Sequence, residues 1–240
     1  MKKCLIYLFT AAIITTPVFL SCSKEKNAVR GIIMTTRKSH VQFTVEYDGP
    51  RRTYINVYVD WGDGTKEKSE VWLSEEWRFR GCSFTHEYSS SSIHTITVTG
   101  GKITRLDCSD NELISLDVRS VPTLEDLTCH DNRLISLDLS KNRALKSLDC
   151  RYNRLTGLNV SEHKKLYSIN LQFNHMSAEA LNALFGTLHN ATLSYASSKS
   201  ISVSNNGPNY DGSGAANCDQ SIAEARGWKV SAGYMGTIDD

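Results

Sequence analysis

One segment is written four times at a fixed period. Leu106-Asp107-Cys108-Ser109-Asp110-Asn111 returns as Leu127-Thr128-Cys129-His130-Asp131-Asn132, then as Leu148-Asp149-Cys150-Arg151-Tyr152-Asn153 and Ile169-Asn170-Leu171-Gln172-Phe173-Asn174, always 21 residues on. Within each copy apolar residues alternate with polar ones, the signature of a short strand with one buried face. A second apolar beat follows at Leu116/Val118, Leu137/Leu139 and Leu158/Val160. A single copy cannot bury its apolar face alone, so the copies must stack into a ladder with a shared core. Asn111, Asn132, Asn153 and Asn174 stand where the chain leaves each strand, and their amides are expected to satisfy backbone groups that the turn leaves unpaired. Cys108, Cys129 and Cys150 take the apolar position that Leu171 fills in the fourth copy, and read as small buried hydrophobes.

This pattern resembles the leucine-rich repeat, over roughly the middle third of the chain. Such repeats usually bind on the concave face of their solenoid. The polar residues pointing there are Arg105, Asp107, Asp126, Thr128, His130, Asp149, Arg151, Tyr152, Asn170, Gln172 and Phe173, with Tyr152 and Phe173 as neighbouring aromatics. These are the candidate ligand-binding residues, for a protein or a glycan.

The amino terminus reads as an address. Met1-Lys2-Lys3 precedes an apolar run from Leu5 to Leu20, shorter than a membrane span and interrupted by Pro17. It ends in Phe19-Leu20-Ser21-Cys22, which resembles a bacterial lipobox and implies a signal peptide over 1–21 and a lipid on Cys22. Residues 22–30 are polar and form a tether. Removing Lys2 and Lys3 with the leader leaves 25 basic against 26 acidic residues, which offers no electrostatic footprint for nucleic acid.

Residues 31–100 alternate as short strands separated by Gly, Ser and Asp turns, the pattern of a small β-sandwich. Trp61-Gly62-Asp63-Gly64, then His86-Glu87-Tyr88 and Thr95-Ile96-Thr97-Val98, resemble a PKD-type sandwich, in which the Trp-Gly-Asp-Gly element is a turn. Asp60 and Asp63 offer too few oxygens for calcium. His86 and His94, with Cys82 a loose third, fit structural roles better than metal ligation. Trp72 and Trp77 are expected mainly as core, with a sugar or partner contact as the alternative if they are exposed.

Residues 101–188 hold the repeats, joined to the sandwich almost without linker at Gly100-Gly101, so the sandwich is expected to dock on the first repeat. Residues 189–240 read as a cap, preceded by a helix opening at Ser177. The cap contains an alternating strand at 200–204, a Gly/Asn/Ser loop over 207–217, a short helix at 221–226 and a closing Trp228-Lys229-Val230 strand. The segment from Cys218 to Val230 resembles the end of leucine-rich repeat surface lipoproteins of Gram-negative anaerobes. That resemblance implies an outer-membrane, lipid-anchored protein displayed on the cell surface, with a periplasmic face as the alternative.

The fold class expected is mainly β: a small β-sandwich, a short leucine-rich repeat solenoid and a helical carboxy-terminal cap. The function expected is non-catalytic recognition or adhesion by a monomer, without cofactor or metal. The alternative is an envelope scaffold for another outer-membrane protein. A glycan hydrolase is the remaining class: no nucleophile elbow, zinc helix or phosphate loop is present, although Asp126 and Asp149 make a conceivable carboxylate pair.

Overall fold

The computed structural model describes residues 31–49, 53–73 and 81–233. The expected signal peptide, Cys22, the expected tether and Trp77 therefore lie outside the described residues. Six strands come first: β1 (Ile32–Thr36), β2 (His40–Asp48), β3 (Thr53–Asp60), β4 (Lys66–Leu73), β5 (Gly81–Glu87) and β6 (His94–Thr99). The repeats supply β7 (Lys102–Asp107), β8 (Ser115–Asp117), β9 (Asp126–Thr128), β10 (Ser147–Asp149) and β11 (Ser168–Asn170). The cap adds α1 (Ala178–Thr187), β12 (Lys199–Ser202), α2 (Ser213–Asn217), α3 (Ser221–Glu224) and β13 (Trp228–Ser231). The chain is mainly β, a small sandwich running into a short repeat solenoid with a helical cap.

Among the described residues the strands form two sheets. One is antiparallel, in the order β4-β3-β6-β1-β8; the other runs β5-β2-β7-β9-β10-β11-β12-β13 across the whole molecule. The change of sense falls at β7, which pairs antiparallel with β2 and parallel with β9. Sandwich and ladder thus share one sheet. On the other side of the core, β8 of the first repeat pairs with β1. The equivalent segments of later repeats form no strand, because only the first has a sandwich edge to pair with.

Alternation decides which residues go inside. Val41, Phe43, Val45 and Tyr47 of β2 are buried, as are Val57 and Val59 of β3 and Ile96 and Val98 of β6. Their cluster continues without a break through Leu106, Leu127, Leu148, Ile169 and Ile201 to Trp228. At the junction, Gly100 has φ +107° and a Cβ there would strike the Asn56 carbonyl, so only glycine makes this connection.

The Asn side chains bond across successive rungs. Asn132 Nδ2 donates to the Cys108 and Cys129 carbonyls, both at 3.0 Å, and its Oδ1 accepts from Leu113 N at 2.8 Å. Asn153 and Asn174 repeat this one rung on, accepting from Leu134 N and Leu155 N at 2.9 Å. A fifth member is Asn206, which donates to the Leu171 and Val203 carbonyls at 2.8 Å and accepts from Met176 N. A second, outer set holds the opposite side. Asn142 Nδ2 donates to Val118 O at 2.9 Å, and His163, 21 residues later, donates Nε2–H to Leu139 O at 3.1 Å.

Ser177 caps α1, its hydroxyl accepting from Ala180 N at 3.2 Å, and Leu181, Leu184 and Phe185 are buried. Residues 207–217, expected as a loop, contain α2 instead: Gly214 N and Ala215 N are held on Asn206 O, and Ala215 packs into the core. The buried Lys199 joins the cap segments by donating to the carbonyls of His189, Ala191 and Arg226 at 3.2, 3.2 and 2.7 Å.

Candidate functional site on the concave face

The long sheet turns one face to the core and the other to solvent. Its register lines up two outward rows. One runs Glu46, Arg105, Asp126, Ser147, Ser168, Ser200 and Lys229; the other runs Ser83, Thr44, Asp107, Thr128, Asp149, Asn170, Ser202 and Ser231. With neighbouring strands about 4.8 Å apart, the eight-strand face is about 34 Å wide.

All the candidate residues named from the repeats stand on this face or its rim, none of them buried. Several have local duties. Asp107 Oδ1 accepts from Ser109 N and Oγ at 3.1 and 2.6 Å, and Asp149 and Asn170 accept from the N–H two residues on, each closing an Asx turn at its strand end. Arg105 reaches across to Asp126 at 2.8 Å and towards Glu46 at 3.7 Å. Asp126 and Asp149 do not stand opposite each other: Asp126 is opposite Ser147 and Asp149 opposite Thr128, so the two lie in different rows.

Two troughs on the face lie where sandwich and repeats meet. A trough of about 340 Å³ is lined by Thr44, Glu46, Arg105, Asp107, Asp126, Thr128 and Ser147. An adjoining one of about 350 Å³ is lined by Lys38, His40, Gln42, Thr44, Asp107 and Asp110. His40, Gln42, Thr44 and Glu46 of this surface come from β2. The sequence carried the signal, since His40, Gln42, Thr44 and Glu46 alternate with buried residues, but it could not show that their outward face continues that of the repeats.

The residue before each ladder Asn is left-handed: Asp110 (φ 51°), Asp131 (53°), Tyr152 (51°), Phe173 (53°) and Asn205 (57°). Asp and Asn tolerate this region; bulky aromatics rarely adopt it. Yet Tyr152 and Phe173 both stand there, their rings stacked at 4.3 Å and 8° with Tyr152 44% exposed. His130, one rung before, bonds Asp131 at 2.7 Å.

Other candidates resolve differently. Cys108, Cys129 and Cys150 are fully buried and free, and burial holds their thiols far above the ordinary range. Cys82 and Cys218 are half-buried and also free. Asp63 is committed to its own turn, accepting from Thr65 Oγ1 and N and pairing with His86 at 2.8 Å; the Thr65 hydroxyl leads in depressing its pKa. Asp60 accepts from Gly62 N and pairs with Lys66 at 2.9 Å. His86 stacks on Trp61, and His94 on Tyr88, whose hydroxyl donates to Trp61 O at 2.7 Å. Among the described residues no group of three or more His, Cys, Asp or Glu could hold a metal.

Trp72 corrects an expectation. It is not core: as an outward residue of edge strand β4 it is 46% exposed, while its neighbour Val71 fills the core position.

No family model matches the chain, and no curated protein does. Among solved structures, the functional domain of InlJ from Listeria monocytogenes, which includes a cysteine ladder, is similar at 20% identity with a TM-score of 0.35. The match covers 54% of this chain and 30% of that one, so the chain spans under a third of that protein's solved length.

Proposed function

We propose that this chain is a non-catalytic recognition module of the cell envelope, binding a protein or glycan ligand across the concave face. The observation that carries this is the stacked pair Tyr152 and Phe173. Backbone conformation favours Asn, Asp or Gly at both positions, and the neighbouring rungs comply with Asp110, Asp131 and Asn205. Two aromatics placed against that preference and left partly in solvent point to a contact role rather than a packing role. The trough between β2 and β9 supplies hydrogen-bonding groups on the same face.

The rest of the proposal follows from sequence. A lipid on Cys22 anchors the chain to the outer membrane, and the chain is displayed on the cell surface. The sandwich is PKD-like, a reading supported by the way its motif residues interlock, with Trp61, His86, Tyr88 and Asp63 in mutual contact. Metabolic labelling with a palmitate analogue tests the anchor: incorporation that persists in Cys22→Ser sinks it. Proteinase K on intact cells tests display, because survival of the chain until lysis would place it inside.

The binding proposal is tested by screening the full chain against glycan and extracellular-protein arrays, with Tyr152→Asn/Phe173→Asn beside it. The double variant is expected to lose the signals of the parent by about tenfold or more. Equal signals from both would remove the concave face as the site.

A further inference from the structure

On the opposite side of the molecule, the outer face of β3 and β4 carries a second aromatic surface. Tyr54, Asn56 and Tyr58 project outward along β3, paired in register with Trp72, Glu70 and Lys68 of β4. Tyr54 is 64% and Tyr58 49% exposed, and the Tyr54 and Trp72 rings meet at 4.7 Å and 47°. Next to Tyr58 in the sheet stands Thr99 of β6.

The chemistry of this face is narrow. Its outward positions on β3 and β4 bear no aliphatic side chain: every apolar group is an aromatic ring ending in a hydroxyl or indole N–H. Its charges are already matched, Lys68 with Glu70 at 2.8 Å and Lys66 with Asp60 at 2.9 Å. A charged partner gains little from a surface whose ions neutralise one another. Rings that offer flat apolar area, alternating with the Asn56 amide and the Glu70 carboxylate, suit a ligand that is uncharged, has C–H faces and is dense in hydroxyls. Tyr54 and Tyr58 are four residues apart on one strand, about 13 Å, which lets an extended ligand touch both ends of the row.

We propose that the β3–β4 face is a binding platform for a neutral glycan chain lying along β3. Trp72 and Tyr54 cradle one sugar ring, Tyr58 stacks on another further along, and Asn56 between them bonds hydroxyls. The platform faces away from the concave surface and does not depend on that surface having a ligand.

The test is native affinity electrophoresis of the full chain in gels containing soluble neutral polysaccharides of glucose, mannose, xylose or galactose, with an acidic polysaccharide alongside. Retardation is expected in at least one neutral gel and not in the acidic one. Trp72→Ala and Tyr54→Ala should each weaken it about tenfold. Trp72→Phe should retain most of it. Thermal melts of each variant separate lost binding from lost fold, and Tyr58→Ala substitutes for any variant that does not fold. Absence of retardation in every neutral gel overturns the proposal. So does retardation that survives Trp72→Ala and Tyr54→Ala in folded protein, or a preference for the acidic polymer. An array signal from a protein that disappears in Trp72→Ala, without neutral-glycan binding, likewise overturns it in favour of a protein partner.

Discussion

Asn111 and Gln42 exchange two hydrogen bonds: Gln42 N donates to Asn111 Oδ1 at 3.0 Å, and Asn111 Nδ2 donates to Gln42 O at 2.7 Å. In every later rung those partners are supplied by the preceding repeat. Leu113 N and Cys108 O do for Asn132 what Gln42 alone does for Asn111. The sandwich strand β2 therefore stands in for a missing repeat and completes the ladder.

Asn111→Ala should accordingly destabilise the whole chain rather than fray one end. It leaves Gln42 N and O without their partner and the Cys108 carbonyl with Asn132 alone, a loss of about 2–4 kcal/mol. Urea unfolding is expected to stay a single transition at lower midpoint. An early, separate transition of the sandwich would show that β2 and the ladder are not coupled through this residue.

Tyr152→Asn and Phe173→Asn should not cost stability. Each puts a residue tolerant of the left-handed region where a bulky ring now sits, and relieving that strain is worth about 1 kcal/mol, set against the lost ring stacking of similar size. Melting temperatures within a few degrees of the parent are expected. A steep fall in either variant would make the pair part of the packing and weaken the case for a contact role.

Acid should loosen the outer ladder. Burial lowers the pKa of His163 and of His189 below the ordinary imidazole value of about 6.5. Below that value the unfolded chain takes up protons that the folded chain resists. The stabilisation is therefore complete above about pH 6.5 and shrinks as pH falls through it, at up to about 1.4 kcal/mol per pH unit for each group. His163→Asn copies Asn142 one repeat earlier and keeps a donor for Leu139 O. Its melting temperature should fall less between pH 7.5 and 5 than that of the parent. Parallel falls in the two proteins would acquit His163.

Alkylation should sort the thiols by place. Cys108, Cys129 and Cys150 are expected to label only on unfolding, whereas Cys218 and Cys82 label slowly in the folded chain. Cys82 is the slower, because burial pushes its thiol up to about 11. Mass spectrometry of iodoacetamide-treated native protein reads the order directly; early modification at Cys129 would contradict the ladder.

What could be read in advance was whatever repeats locally. The Asn and Cys positions, the α1 cap at Ser177 and the alternating strands are one-dimensional patterns with direct physical causes. Asn206 escaped because α1 intervenes, stretching the interval from Asn174 to 32 residues, although Ile201-Ser202-Val203 copies Ile169-Asn170-Leu171. Gln42 escaped for another reason: alternation says that His40 to Glu46 have an outward face, but not which neighbour continues it. Trp72 was expected inside by residue type, yet strand parity, set by Val71, put it outside. The concave candidates share one sheet face with residues of β2, and that continuity needed the sheet.

The position of β1 has a mechanical consequence. It is the first described strand, yet it lies between β6 and β8 with antiparallel partners on both sides. A pull on the chain from its amino-terminal side, along the strand, loads both rows of bonds in shear rather than peeling them one at a time. Because β8 belongs to the first repeat, that load passes into the solenoid at once. A body held by its leading end and gripped on its far surface would then bear tension as a single piece, without the sandwich unravelling first.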